Sequence, residues 1–182
     1  MGRAADQAGP RAGIHRLLAE VVESERLPGD HHRLLLRAPA IAAAAEPGQF
    51  VHVWCHRPDE LDRPPCAAIL RRPYSISRLR PPDRIELLLR LRGVGGHLLA
   101  GKSAGDQLDI LGPLGRGFGL ASLPAVAVVV AGGSGLAPVP FLIVRLVELG
   151  ARVLCLAGAK DDEAVPFRVD RPRAGRAALP EL

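Results

Sequence analysis

The stretch Arg71-Arg72-Pro73-Tyr74-Ser75-Ile76-Ser77 decides how the chain is read. It combines a cation at Arg72, a flat aromatic ring at Tyr74 and a small hydrogen-bonding hydroxyl at Ser75. Strand alternation puts Arg72 and Tyr74 on one side and turns Ser75 across, unless Pro73 distorts the pleat. Alone, such a run is more often an ordinary barrel strand with a surface arginine, so its meaning depends on its surroundings.

Those surroundings are β-rich. From Ile14 to Ile110 the apolar residues form short runs, at Ile14 to Val22, Arg33 to Leu36, Gln49 to Trp54, Tyr74 to Ser77, Ile85 to Leu91 and Gln107 to Leu111. Turn formers separate them at Pro28-Gly29-Asp30, Pro47-Gly48, Pro64-Pro65 and Pro81-Pro82-Asp83. Proline removes a ladder donor there and glycine permits positive φ. Closing these strands into a small barrel removes exposed edges. Ile85, Leu87, Leu89 and Leu91 alternate with Glu86, Arg90 and Arg92, with Leu88 the exception, which predicts one core face and one partly polar face. Cys55 to Leu70 is loop-like and reads as an insertion.

After Pro124 the rhythm changes. Ala125 to Ala131 is a continuous apolar run, followed by Gly132-Gly133-Ser134-Gly135, by Leu136 to Leu149 at helical spacing, and by a second apolar run from Arg152 to Ala157. This is β-loop-α-β, the opening unit of a parallel nucleotide-binding sheet, with Gly150 as the helix C-terminal cap. Beyond Asp162 the pattern fades. The expected organisation is residues 12–122 as a barrel, 123–162 as a partial α/β unit and 163–182 as an irregular tail.

Composition narrows the function. The formal charge of +5 comes from scattered arginines, without the basic block or interleaved aromatics of a nucleic-acid surface. No apolar run reaches the roughly 18 residues of a membrane span. Met1 to Gly13 lacks the apolar segment of a signal peptide, so a cytoplasmic location is expected. Cys55, Cys66 and Cys155 lie far apart and read as isolated thiols. His31, His32, His52, His56 and His97 have no carboxylate or cysteine at catalytic spacing, Asp161 and Asp162 form a polar loop, and neither Ser75 nor Ser134 sits in a nucleophile elbow.

Downstream of the deciding stretch, Leu88-Leu89-Arg90 precedes Gly93-Val94-Gly95-Gly96-His97-Leu98-Leu99. Glycines opening a short helix are either a phosphate site or a bare turn. A flavin dinucleotide needs a cation for its diphosphate, a flat apolar surface for its ring and a small polar group at the ring edge, which Arg72, Tyr74 and Ser75 supply in that order. Gly112-Pro113-Leu114-Gly115-Arg116-Gly117-Phe118 then forms a turn dense enough to redirect the chain.

Taken in order, Pro47-Gly48-Gln49-Phe50-Val51, Arg72-Pro73-Tyr74-Ser75, the Gly93 to Gly96 loop, Gly112 to Phe118 and Gly132-Gly133-Ser134-Gly135-Leu136-Ala137-Pro138 resemble the ferredoxin-reductase superfamily. The resemblance runs from about Ile14 to Asp162. Within that superfamily the Gly-Pro-Leu-Gly-x-Gly-Phe turn and the Arg-Arg-Pro entry most resemble the electron-transfer subunits of two-subunit dihydroorotate dehydrogenases.

The resemblance implies a Greek-key β-barrel that binds FAD, followed by a Rossmann-like α/β unit that is incomplete in this chain. It implies cofactor-binding roles for Arg72, Pro73, Tyr74 and Ser75, for Leu88, Leu89 and Arg90 along the cofactor, and for Gly95 and Gly96 at the diphosphate. Gly96 replaces a family threonine, which removes a hydroxyl and predicts weaker FAD binding. Gly132, Gly133, Ser134 and Gly135 match the loop that receives NAD(H), and read equally as a tight strand-to-helix turn in a pocket missing its later strands. The family's [2Fe–2S] cluster is not expected, because its cysteine quartet is missing from the sequence. The implied partner is a catalytic dihydroorotate dehydrogenase-type subunit in pyrimidine biosynthesis. Two alternatives stand: the flavin subunit of a sulfite reductase or hydrogenase complex, and a truncated, non-catalytic partner-binding module.

Overall fold

The computed structural model describes residues 13–55, 70–122, 125–161 and 164–166. Most of the expected insertion between Cys55 and Leu70, with His56 and Cys66, lies outside the described residues, as do Asp162 and nearly all of the tail.

Six strands form a closed barrel: β1 (His15–Arg26), β2 (His31–Arg37), β3 (Phe50–Val53), β4 (Arg72–Arg80), β5 (Arg84–Arg90) and β6 (Gln107–Leu114). Their order is β1-β2-β5-β4-β3-β6 and every pair is antiparallel. Within it β3, β4 and β5 are consecutive neighbours and β6 returns beside β3, a Greek key. Alternation fills the interior with Val21, Leu34, Leu36, Val51, Val53, Ile76, Ile85, Leu87, Leu89, Leu108 and Ile110, all fully buried. On β5 the outward residues Glu86 and Leu88 are buried as well. Arg80 and Arg78 lie over the Glu86 carboxylate at 3.3 and 3.9 Å, which is how a charge is kept on that face without exposure.

Two short helices interrupt the strands. The first, α1 (Pro39–Ala44), lies between β2 and β3, opens on a proline and buries Ile41 in the core; the β rhythm did not predict it. The second, α2 (Gly93–Ala100), follows β5 and buries Leu99 in the same core.

The turn that leaves β6 is docked on the chain before β3. Gln49 Nε2 donates to the Gly115 carbonyl at 3.0 Å and the Phe118 amide donates to the Pro47 carbonyl at 2.9 Å. Gly115 has φ +83°, and a Cβ there would lie 2.8 Å from the Phe50 ring, so glycine is required twice over. Two motifs that are distant in sequence thus form one joint.

Beyond it, β7 (Val126–Gly132) and β8 (Arg152–Gly158) pair in parallel around α3 (Val139–Glu148). The helix is shorter than the expected Leu136 to Leu149. Gly133–Leu136 forms a 3₁₀ turn, and prolines at 138 and 140 are tolerated only in a first turn, so the α-helix starts at Val139. Leu142, Ile143 and Leu146 pack with Val129 and Ala151, while Phe141 joins the barrel core, so α3 couples the sheet to the barrel. The opposite face of the small sheet exposes Val126, Val128, Val130, Leu154 and Leu156. The architecture is a Greek-key barrel followed by a partial α/β unit, as expected.

Candidate functional site

The site begins where the barrel ladder opens. β4 and β5 pair from Arg80↔Arg84 to Ile76↔Leu87, and among the described residues no pairing joins them beyond that point. Arg72 to Ser75 remain paired to β3 through Val53↔Arg72, Val51↔Tyr74 and Phe50↔Ser75. Leu89 and Arg90 remain paired to β2, at His32↔Leu89 and His31↔Arg90. A slot is therefore left between the facing edges of Arg72–Ser75 and Leu88–Arg90, with α2 starting three residues beyond Arg90.

Pro73 does not disturb the pleat, because the pairing with β3 is unbroken. The irregularity on β4 falls later, between Ile76 and Arg78. Arg72 and Tyr74 accordingly share a face with Val51, Val53 and Ile76, while Ser75 stands across from them, opposite Phe50. Tyr74 is half-buried against the barrel core. Burial, and after it the neighbouring Cys55 thiol, push the Tyr74 phenol up to about 12 against the opposing pull of Arg72, so it stays neutral at physiological pH.

Arg72 is an exposed residue, yet its side chain lies beside Gly95 of α2. A Cβ on Gly95 would lie 3.4 Å from Arg72 Cγ and 3.3 Å from Cys55 Sγ; one on Gly96 would lie 3.0 Å from the Arg90 carbonyl oxygen. The helix N-terminus is thus pressed against Arg72 on one side and the end of β5 on the other, and both glycines are buried. No side chain caps this helix, whose N-cap position is Arg92; among the described residues the amides of Gly93, Val94 and Gly95 have no acceptor, while that of Gly96 makes the first intrahelical bond. A cation and free amide donors stand together at one end of the slot.

The expected residues differ in what they present. Leu89 is fully buried in the barrel interior and offers the slot only its main chain; Leu88 is nearly buried. Arg90 is turned to the β1–β2 connection, where its Nε donates to Asp30 Oδ2 at 2.8 Å. Gly132, Gly133, Ser134 and Gly135 sit apart, at the end of β7 and in the 3₁₀ turn, with Gly132 against the Gly158 carbonyl. Sequence reasoning missed two residues. The sequence marks Cys55 only as an isolated thiol; in the structure it is buried against Gly95, beside the Arg72 stem, and burial raises its pKa. Asp30 was taken for a turn residue, and only the β2–β5 register brings it to Arg90.

Among the described residues no group of three or more His, Cys, Asp or Glu could hold a metal ion, and no helix is long and apolar enough to cross a membrane.

No protein-family model matches the chain. It is 40% identical over 129 residues to the dihydroorotate dehydrogenase B (NAD(+)) electron transfer subunit of Desulforamulus reducens, covering 70% of this chain and 47% of the relative. The subunit of the same name from Shouchella clausii is 35% identical over 141 residues, covering 76% and 52%. The chain therefore spans about half the length of these curated relatives. Among solved structures, an NADH-dependent reduced ferredoxin-NADP oxidoreductase matches at 24% identity with a TM-score of 0.68, covering 85% of this chain and 52% of that one. An Amycolatopsis cytochrome P450 reductase matches at 27% identity with a TM-score of 0.64, covering 90% and 49%. The chain thus has the ferredoxin-reductase-type fold and is homologous, over about half their length, to the electron transfer subunits of dihydroorotate dehydrogenase B.

Proposed function

We propose that the chain binds FAD in the slot between β4 and β5 and serves as the flavin-holding portion of an electron-transfer subunit. The observation that carries this reading is the convergence of the Arg72 stem with Gly95 and Gly96 at the mouth of the slot, where a Cβ on either glycine would be crowded. A cation beside uncapped helix amides suits a diphosphate. Tyr74 supplies a neutral aromatic surface and Ser75 a hydroxyl for the polar edge of a ring system. On this reading residues 12–122 are the flavin-binding domain and 123–162 the opening of a nucleotide-binding domain.

A bound flavin supplies the redox chemistry, exchanging electrons in pairs with a nicotinamide and singly with other carriers. The protein's own part is placement. Arg72 and the α2 amides fix the diphosphate, and the edges of Arg72–Ser75 and Leu88–Arg90 border the rest of the cofactor. Gly132, Gly133, Ser134 and Gly135 would receive NAD(H), with a loop that keeps the main chain accessible. The described residues do not fit the iron–sulfur cluster implied by the resemblance. Cys55 belongs to the barrel core and Cys155 to the small sheet. The partner on this reading is a dihydroorotate dehydrogenase-type catalytic subunit, which the names of the relatives support.

Equilibrium dialysis of the purified chain against FAD tests the proposal. Retention of one FAD per chain is expected, and a chain that takes up none contradicts it.

A further inference from the structure

Asp30 lies in the turn between β1 and β2, far in sequence from the slot, and three contacts tie it to the strand-to-helix junction there. Its carboxylate accepts the Arg90 Nε–H at 2.8 Å, with Arg92 Nε at 3.7 Å from the same oxygen. Its main-chain carbonyl accepts the Leu91 amide at 2.6 Å. Side chain and main chain of one residue thus hold three consecutive residues, Arg90, Leu91 and Arg92, the last of which is the N-cap position of α2.

That junction sets the height of α2 above the slot. The Arg90 carbonyl accepts the Arg92 amide at 2.8 Å and also lies 3.0 Å from where a Gly96 Cβ would stand. The first turn of α2 therefore rests directly on Arg90. Any shift of Arg90 moves Gly95 and Gly96 and, through Gly95, the stem of Arg72. The hydrogen bond from Arg90 holds the Asp30 carboxyl below the usual carboxylate range, so it is charged at neutral pH.

We infer that Asp30 is a positioning residue for the anion-binding end of the slot: it clamps Arg90 and the α2 N-terminus so that the free amides of Gly93, Val94 and Gly95 and the side chain of Arg72 converge. The inference rests on the FAD reading above and adds to it a residue that makes no contact with the cofactor. It also gives Arg90 a different part from its neighbours. Its guanidinium is engaged by Asp30 and acts on the site through the main chain.

The test is titration of the full chain and its Asp30→Asn variant with FAD and, separately, with ADP, which carries the diphosphate without the ring. The substitution keeps the main-chain acceptor and the side-chain shape and removes the charge. We expect both ligands to bind the variant about tenfold more weakly, the lower end of what outer-shell hydrogen-bond partners are worth at metal sites. At saturation the visible spectrum of the bound flavin should match that of the unsubstituted chain, since Tyr74 and Ser75 are untouched. Asp30→Glu, which keeps the charge, should recover part of the loss. Affinities within about twofold of the unsubstituted chain would overturn the inference while leaving the FAD reading intact. So would a loss for FAD alone with a changed flavin spectrum, which signals general loosening. Failure of the unsubstituted chain to bind FAD would instead overturn the reading beneath it.

Discussion

Arg72 lies along the surface that Gly95 leaves bare: a Cβ at Gly95 would stand 3.4 Å from Arg72 Cγ and 3.8 Å from its Nε. The pairing joins β4 to the start of α2 and puts a guanidinium beside free helix amides. It is the physical content of the proposed diphosphate site.

Replacing Arg72 by Gln should therefore weaken FAD binding by about 10- to 100-fold, the range for losing one charge-assisted hydrogen bond of roughly 1.5–3 kcal/mol. Arg72 is exposed, so the melting temperature should barely move. Fluorescence titration and a thermal melt of the same sample check both halves of the statement.

The two glycines should respond differently to a methyl group. At Gly96 the added Cβ meets main chain, the Arg90 carbonyl, which cannot step aside; Gly96→Ala should destabilise the fold by about 1–3 kcal/mol in denaturant unfolding. At Gly95 it meets the Cys55 thiol and the flexible Arg72 stem. Gly95→Ala should cost less stability and act mainly on FAD affinity. Equal stability losses at both positions would contradict this packing.

Tyr74 is the only tyrosine in the chain, so its ionisation can be followed directly by ultraviolet absorption. Its midpoint should lie near about 12, above the value of about 10 of an exposed tyrosine. The folded phenol holds its proton more tightly than the unfolded one. Its contribution to stability is therefore complete below about pH 10 and is lost as pH rises towards about 12. A midpoint near about 10 in the folded protein would mean the ring is in water.

Asp109 carries the opposite sign. Burial alone would raise its carboxyl, but hydrogen bonds from Arg16 and Arg71 outweigh burial and hold it below the usual range. The unfolded carboxyl binds protons near about pH 3.9, before the folded one does. Its stabilising effect is present above that pH and is lost as pH falls through the lower folded value. Asp109→Asn should remove this part of the acid sensitivity, read as a shallower fall of stability below about pH 4 in denaturant midpoints.

How much of this was legible beforehand follows from the range of the interactions. The strands, the barrel and the βαβ unit rest on local periodicity and on Pro and Gly breaks, and all appear where the pattern placed them. The proline pair at 138 and 140 fixed a later helix start than hydrophobic spacing implied, a local signal outweighed by periodicity. Helix α1 escaped because Ala-rich residues between Pro39 and Ala44 carry little amphipathic pattern. Arg72, Tyr74, Gly95 and Gly96 were legible as residue types suited to a dinucleotide. The ladder opening, Cys55 behind Gly95, and Asp30 under Arg90 were not, since they depend on the strand register and on where packing leaves a side chain no space.

On the proposed reading this chain recognises a flavin dinucleotide through its diphosphate, at Arg72 and the free amides that open α2, with Gly95 beside Arg72. The most direct measurement is a side-by-side fluorescence titration with FAD and with riboflavin, which has the same ring and no phosphate. The account predicts saturable one-to-one binding of FAD, at least about 100-fold tighter than riboflavin given two or more charge-assisted contacts. Equal affinity for the two, or no binding of FAD at all, would contradict it.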